Sequence, residues 1–427
     1  MKKLKKFQIA IAAVFMGLIS SETMGQFTLS AEVRPRSEFR NGFKTPSSEG
    51  FKPVFFTEQR SRLYIDYIQP KYQMKVAFQD VRMWGQTTQI FKQEVGTTFL
   101  SEAWGQINLS EKVALKAGRQ IISYDNERFL GGLEWAQQGR RHDALLFKID
   151  DKASKVKLDI GLAFNADQDV AEPALLQGKY PNYYSVGGSY KTMQYAWFHK
   201  DMENAAISLL ALNNGTQNAD STVSNKQTFG LIGSKKVGNI TFATDVYYQT
   251  GELAKQKVNA LLAGVNATFK TKVTPITLGY EYISGKDDTD ASGINTAFSP
   301  DYGTNHAFNG FMDYFYVGPA NGSVGVQDFY IKTKFKLGKG ALLAHGHQFL
   351  TGSEQLATDV TTLSKNMGTE IDLVYVQKIG TDITLNLGFS QLFASETMTT
   401  LRPGNASSNN WAWAMITFNP TLFRSEK

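Results

Sequence analysis

From Phe27 onward, apolar and polar residues alternate with a period of two, as in strands whose two faces meet different surroundings. Val156, Leu158, Ile160, Leu162 and Phe164 alternate with Lys157, Asp159, Gly161, Ala163 and Asn165. Phe329, Ile331, Thr333 and Phe335 alternate in the same way with Tyr330, Lys332, Lys334 and Lys336. Ile383, Leu385, Leu387 and Phe389 repeat the pattern near the end of the chain. No amphipathic helix of comparable quality interrupts the series. Eighteen strands are predicted, the first over 28–40 and the last over 409–419.

The links between these strands alternate in length. Pro70, Ser110-Glu111, Gly238, Gly338-Lys339 and Gly380-Thr381 make very short turns, whereas the intervening links are mostly longer, the longest running over 286–324. A closed outer-membrane barrel has this asymmetry: tight periplasmic turns, long external loops and an even number of strands of about 10 residues. A soluble propeller would repeat a motif of about 40–50 residues, and none is found. A soluble barrel would have to fill its interior with apolar side chains, and eighteen strands enclose too wide a space for that. The apolar face therefore meets lipid and the charged face lines water. The expected fold is all-β, a transmembrane antiparallel β-barrel of about 18 strands with short periplasmic turns and long extracellular loops. Trp84, Trp104, Trp135, Trp197, Trp411, Trp413, Tyr280 and Tyr282 lie mostly near strand ends or links, where aromatic girdles of the membrane interface are expected.

Composition changes this picture in three places. A length of 427 residues would suggest several domains, but the strand count makes residues 26–427 one barrel. Lys2, Lys3, Lys5 and Lys6 precede the apolar run Phe7 to Ile19 and the small residues Ser20, Ser21 and Gly25, which reads as a cleaved export signal over 1–25. Its removal lowers the net charge from +6 to +3, which weakens any nucleic-acid reading. The absence of cysteine excludes thiol chemistry, disulfides and an N-terminal lipid anchor on Cys. The expected location is the outer membrane of a Gram-negative bacterium.

With apolar residues facing lipid, Glu32, Arg34, Arg36, Glu38 and Arg40 share a lumen wall with Glu58, Arg60, Arg62, Tyr64 and Asp66. Such a wall either sets a field that selects ions or forms a ladder of salt bridges fixing the strand register. Lys332, Lys334 and Lys336 form a purer basic row, or else a solvated periplasmic end near the Gly338 turn. Asp245, Glu281, Glu370 and Asp372 dilute the positive field elsewhere.

Signals for chemistry are poor, and the chain is read as a non-enzyme without cofactors. His345 and His347 share one strand face, but with no third ligand assigned they read as a lumen-facing polar pair. Asp288, Asp290 and Ser292 match the first half of a calcium loop, yet Ser299 stands where a bidentate Glu is needed. Ser154 and Lys157 fit an S-x-x-K spacing without its partner motifs, and G-x-S-x-G is absent.

Several stretches resemble the alginate-export family of outer-membrane barrels in its Bacteroidetes-type form. They are Gln79-Asp80-Val81-Arg82-Met83-Trp84-Gly85, Gly118-Arg119-Gln120 with Tyr124, Glu127-Arg128, Gly131 and Trp135, and Gly139-Arg140-Arg141-His142-Asp143-Ala144. Asn305-His306, Phe308 to Gly318, Gly368 to Leu373 and Trp411-Ala412-Trp413 belong to the same resemblance. It implies a monomeric 18-stranded barrel whose basic constriction passes a polyanionic uronate polymer, with Arg82, Arg119, Arg128 and Arg140 carried over by motif. Alternation puts Arg119 on the face of Val113, Leu115 and Ala117, so it sits at the rim or a bulge re-aims it. Gly380-Thr381 makes a tight turn where the exporter carries a long periplasmic plug between late strands. The functional expectation is therefore a channel for anionic polysaccharide or oligosaccharide. A porin for small anions such as phosphate and a non-conducting surface-binding barrel are the alternatives. Expected partners are outer-membrane lipid and anionic permeants, and no nucleic acid.

Overall fold

The computed structural model describes residues 25–425 except 49, 51, 87–97, 166–189, 219, 221, 317–323, 403 and 405–408. Apart from Gly25, the export signal expected over 1–25 lies outside the described residues. The first strands are β1 Gln26–Asn41, β2 Val54–Ile68, β3 Tyr72–Met83, β4 Thr98–Asn108, β5 Val113–Gln120 and β6 His142–Asp151. Next come β7 Val156–Phe164, β8 Thr192–Asp201, β9 Ala205–Gln217, β10 Val223–Val237, β11 Ile240–Leu253 and β12 Gln256–Lys270. The series ends with β13 Pro275–Ile283, β14 Val326–Leu337, β15 Gly340–Leu350, β16 Asn366–Lys378, β17 Ile383–Ala394 and β18 Asn409–Phe418. Each strand pairs antiparallel with the next, and β18 returns to β1, so the eighteen-stranded barrel closes without a free edge.

The chain continues past β18 along the same edge of β1. Pro420 has no N–H to give, so the ladder breaks there, with Ala31 N donating to Pro420 O at 3.1 Å. Pairing with β1 then resumes over β19, Thr421–Arg424, where Phe423 faces Leu29. A single helical turn and a half, α1 Glu396–Leu401, lies in the link before β18 and is capped by Ser395 accepting from Met398 N.

The alternation read from the sequence is realised. On β7, Ile160, Leu162 and Phe164 are exposed on the outer face, while Asp159 and Ala163 point inward and are buried. On β14, Phe329 and Ile331 are exposed outside, and Asp328 is buried inside. The β1–β2 register sets Glu32 opposite Arg62, Arg34 opposite Arg60 and Arg36 opposite Glu58, as one wall.

The interior is not simply water-filled. Two long links, 121–141 after β5 and the described residues of 284–325 after β13, turn inward and bring apolar residues of their own. Ile122, Phe129, Leu130, Phe298, Met312, Tyr314 and Phe315 are buried against inward-facing Tyr195, Trp197, Tyr247, Leu262, Phe349, Trp411 and Trp413. The packed core of this barrel therefore lies within its lumen, toward the end that carries the long links. It corrects the girdle expectation for several tryptophans. Trp197, Trp411 and Trp413 are buried inside, and Trp135 packs edge-on against Trp413 with ring centroids 4.8 Å apart. Trp104 also sits on the inner face, its Nε1 donating to Glu102. Trp84 remains outside, and Tyr280 packs on the exposed Phe329.

Candidate functional site

The lumen is built from three parts: a basic wall, two inserted loops and an acidic wall. Residues 134–138 are irregular backbone, so their carbonyls need donors from elsewhere. The wall of β1 and β2 supplies them as guanidinium forks. Arg34 donates to Glu134 O at 2.7 Å, to Trp135 O and Ala136 O at 3.3 Å, and to the Gln137 side chain at 3.0 Å. Arg36 donates to Trp135 O at 2.8 Å, lies 4.2 Å over the Trp135 ring and pairs with Glu38 at 2.7 Å. Arg60 pairs with Glu32 at 2.6 Å and with Glu134 at 3.0 Å. Arg62 pairs with Glu134 at 2.6 Å and donates to Gln79. These four arginines face the lumen as the alternation requires, but their donors hold loop 121–141 in place.

Glu134 is the ionic centre of that loop, since Arg141 also reaches it at 2.8 Å. Burial alone would push its carboxyl up; Arg62, Arg141 and Arg60 outweigh this and hold it below the usual carboxylate range. A depressed carboxylate contributes to docking above its ordinary pKa, and that contribution is lost as pH falls through the lowered value. Loop 121–141 is therefore expected to stay docked from pH 7 down through the ordinary carboxylate range and to loosen only in stronger acid. Limited proteolysis of the detergent-solubilised barrel at a series of pH values checks this. Cleavage in the loop already at pH 6 would assign the docking to a different group.

The motif arginines separate into two sets. Arg128 is fully buried and donates to Glu281 and to Asn309 Oδ1, with its guanidinium 4.4 Å over the Phe308 ring. Arg140 donates to Gly303 O at 2.8 Å. These two tie the inserted loops to each other and to β13. Arg82 and Arg119 do not face the lumen, which corrects that placement. Gln79 and Gln120 occupy the inner face of β3 and β5, leaving their odd-register neighbours outside. Arg82 forks onto Asp80 at 2.6 and 2.8 Å, and Arg119 pairs with Asp143 at 3.0 Å at the outer rim. Of the basic row on β14, Lys332 is half-buried over the Tyr330 ring at 4.7 Å, while Lys334 and Lys336 are exposed near the Gly338 turn. Lys334 is thus at the barrel mouth rather than in its middle.

The acidic wall lies on β11 to β16. Asp245, Glu281, Asp328, Glu370 and Asp372 are all buried and gather on one side of the lumen. Loop 284–325 docks on them through the stretch that carries the family resemblance. Asn309 donates to Glu281 at 2.8 Å, and Met312 N donates to Glu370 at 2.8 Å. Gly310 is left-handed (φ 83°), and a Cβ there would lie 2.5 Å from a Glu370 oxygen, so only glycine permits this approach. His306 bonds Asp313 at 2.6 Å and stacks on Trp135 at 4.6 Å, joining the two loops again.

Some lumen groups escaped the sequence reading. Lys75, Lys116 and Lys148 face inward from β3, β5 and β6, half-buried on the tight-turn side of the loops. Lys148 pairs with Asp159, and Lys75 lies 3.7 Å from Asp66 and 3.9 Å from Glu102. Lys116 sits 3.7 Å over the Trp104 ring, without a carboxylate in salt-bridge range among the described residues. Strand alternation alone could have placed all three. The calcium-like stretch carries hydrogen bonds. Asp288 accepts from Leu356 N at 2.8 Å, which staples two loops together, and Asp290 accepts from Ser292 N at 2.8 Å within its own turn.

Comparison with known proteins agrees with this architecture. A family model described as alginate export matches residues 26–413. No curated protein sequence matches the chain. Among solved structures, the chain is similar to Pseudomonas aeruginosa OccD3 (OpdP), with a TM-score of 0.60 at 12% identity over 93% of this chain and 92% of that one. It is also similar to a BenF-like porin from Pseudomonas fluorescens Pf-5, with a TM-score of 0.62 at 10% identity over 93% and 99% of the two chains. The Pseudomonas aeruginosa OccK2 (OpdF) complex with glucuronate gives 0.59 at 10% identity over 93% and 97%.

Proposed function

The chain belongs to the alginate-export family of outer-membrane barrels, and from that premise we propose that it passes acidic sugars, as uronate monomers or short oligomers. The carrying observation is the charge division of the lumen. On β1 to β6 the inward cations Arg34, Arg36, Arg40, Arg60, Arg62, Lys75, Lys116 and Lys148 outnumber the carboxylates among them, such as Glu32, Glu38 and Glu102, whereas carboxylates predominate on β11 to β16, and two inserted loops narrow the space between. An anion is drawn along the basic side and kept from the acidic one. Lys116 over Trp104, with Tyr64 beneath Lys75 at 5.0 Å, offers ammonium groups beside aromatic faces. That pairing suits a carboxylated pyranose, whose ring faces stack and whose carboxylate attracts a cation. Glucuronate, bound by one fold neighbour, belongs to this chemical class.

The length preference follows from the loops. A long polymer would need 121–141 and 284–325 to leave the lumen together, against the ion pairs and hydrogen bonds that hold them. The same observation favours the second reading, a porin for small inorganic anions. In this reading residues 1–25 are the cleaved export signal, and 26–427 are a monomeric barrel.

Planar-bilayer recording on the purified barrel tests both. Under a salt gradient the reversal potential is expected on the anion side, and oligouronates are expected to block chloride conductance at millimolar concentration or below. Lys116→Glu should weaken that block by about tenfold, the effect of about 1.4 kcal/mol. Cation preference would overturn the proposal. Anion conductance that no uronate blocks would assign the chain to small anions, and absence of any conductance would leave a surface-binding barrel.

A further inference from the structure

The acidic wall carries a second feature that ion conduction does not use. His345 and His347 point inward from β15, and the strand register sets Asp372 of β16 directly opposite His345. One ligand atom from each of the three lies within 4.8 Å of the others. His347 Nδ1 is committed to the Asp328 carboxylate, at 2.9 and 3.0 Å, which leaves Nε2 as its free donor. That Nε2 lies 3.9 Å from Asp372 Oδ2, beyond hydrogen-bond range. His345 Nδ1 is buried with no hydrogen-bond partner. Asp372 is itself oriented, since its other oxygen accepts from Ser390 Oγ.

We propose that His345, His347 and Asp372 form a binding site for a transition-metal ion of the Zn(II) class on the lumen wall. Two imidazoles and one carboxylate suit zinc, cobalt or nickel, whereas calcium and magnesium require mostly oxygen ligands. Three protein ligands leave a fourth position for water. Bonds of about 2.0–2.1 Å place ligand atoms about 3.4 Å apart, so the present spacing closes by side-chain rotation of about 1 Å. Asp328 on His347 and Ser390 on Asp372 are the outer partners that such a site needs to fix its ligands.

Charge points the same way. Asp245, Glu281, Asp328, Glu370 and Asp372 are buried on this wall, and the cations among them are Arg128 and Lys332. Lys332 pairs in register with His345 and opposes a metal, but the carboxylates outnumber the cations. The rival arrangement is a metal-free ion pair in which a protonated His347 lies between Asp328 and Asp372. It leaves the His345 nitrogen without a role. A bound ion would also sit beneath loop 284–325, because Phe311 packs on the His345 ring at 5.1 Å and its backbone N donates to Asp372 Oδ2 at 3.4 Å.

The test uses the tag-free mature barrel in detergent, stripped with chelator and titrated with Co(II). One equivalent is expected to bind, with the visible absorption of a low-coordinate Co(II) site, and Zn(II) should displace it. His345→Ala removes a ligand whose buried nitrogen has no protein partner, so the barrel stays folded, as checked by heat-modifiable gel mobility, and the spectrum is lost. Asp328→Asn retains the three ligands and should weaken Co(II) binding by about 10–100-fold. Equal Co(II) binding by the parent and folded His345→Ala, or no saturable binding by the parent, overturns the proposal.

Discussion

Replacing Arg60 and Arg62 together by alanine is expected to raise single-channel conductance severalfold while the barrel stays folded. Both side chains point into the lumen from β2 and make no contact with the lipid face. Arg60 pairs with Glu32 and reaches Glu134, and Arg62 reaches Glu134 and the Gln138 carbonyl. Removing one partner of a buried ion pair costs about 3–5 kcal/mol, because the other charge is left uncompensated. Glu134 is half-exposed and recovers some hydration, so the lower end of that range applies to its share. A loss of about 4 kcal/mol is about a thousandfold in the docking equilibrium. Arg34, Arg36 and Arg140 still hold the loop, so the channel should flicker between the parent level and a wider one. Bilayer recordings read the conductance, and limited proteolysis reads exposure of residues 121–141. Heat-modifiable mobility on gels separates a released loop from an unfolded barrel. Unchanged proteolysis would mean that Arg60 and Arg62 do not hold loop 121–141, and increased proteolysis with unchanged conductance would mean that the loop does not narrow the path.

The sequence displayed the wall of this barrel far better than its contents. Alternation depends on each residue's own two neighbours, so Ile160 and Leu162 outside and Asp159 inside were legible from local pattern alone. The Arg34, Arg36, Arg60 and Arg62 wall was legible for the same reason, down to the pairing of β1 with β2. What those arginines bind was not. The partners are backbone carbonyls of residues 134–138, roughly a hundred positions away, and an irregular loop has no periodicity that says where it docks. Asp372 was missed as the cross-strand neighbour of His345 because such neighbours follow from register, which the 351–365 link sets. The resemblance to the alginate-export family marked Arg82, Arg119, Arg128 and Arg140 alike. Only the structure divides them into two that join loops inside the lumen and two that pair with aspartates outside. For Arg119, alternation had already given the right side of the wall, and the motif alone had not.

The orientation of that wall carries a second large expected effect, on stability rather than conduction. Ile331→Arg should destabilise the barrel by about 2–4 kcal/mol, whereas Leu337→Arg on the same face should cost about 0–1 kcal/mol. Ile331 lies mid-strand on β14 and is 49% exposed, and Leu337 ends the strand beside the Gly338 turn at 48%. Their exposure to solvent is the same, so an aqueous surface would tolerate arginine equally at both. In a bilayer the two differ in depth. A guanidinium at the midplane must lose hydration or drag water and headgroups inward, and one near the interface reaches them by extending its side chain. Reversible denaturant unfolding from liposomes, with tryptophan emission as the signal, measures the difference. The inner-face neighbour of Ile331 is already the cation Lys332, so the cost arises from the side of the strand on which the charge is placed. Equal costs at 331 and 337 would mean that this band of exposed apolar residues does not face the hydrocarbon core. A gradient from 331 to 337 would fix both the lipid face and the depth of β14, and with it the level at which His345, cross-strand from Lys332, stands in the membrane.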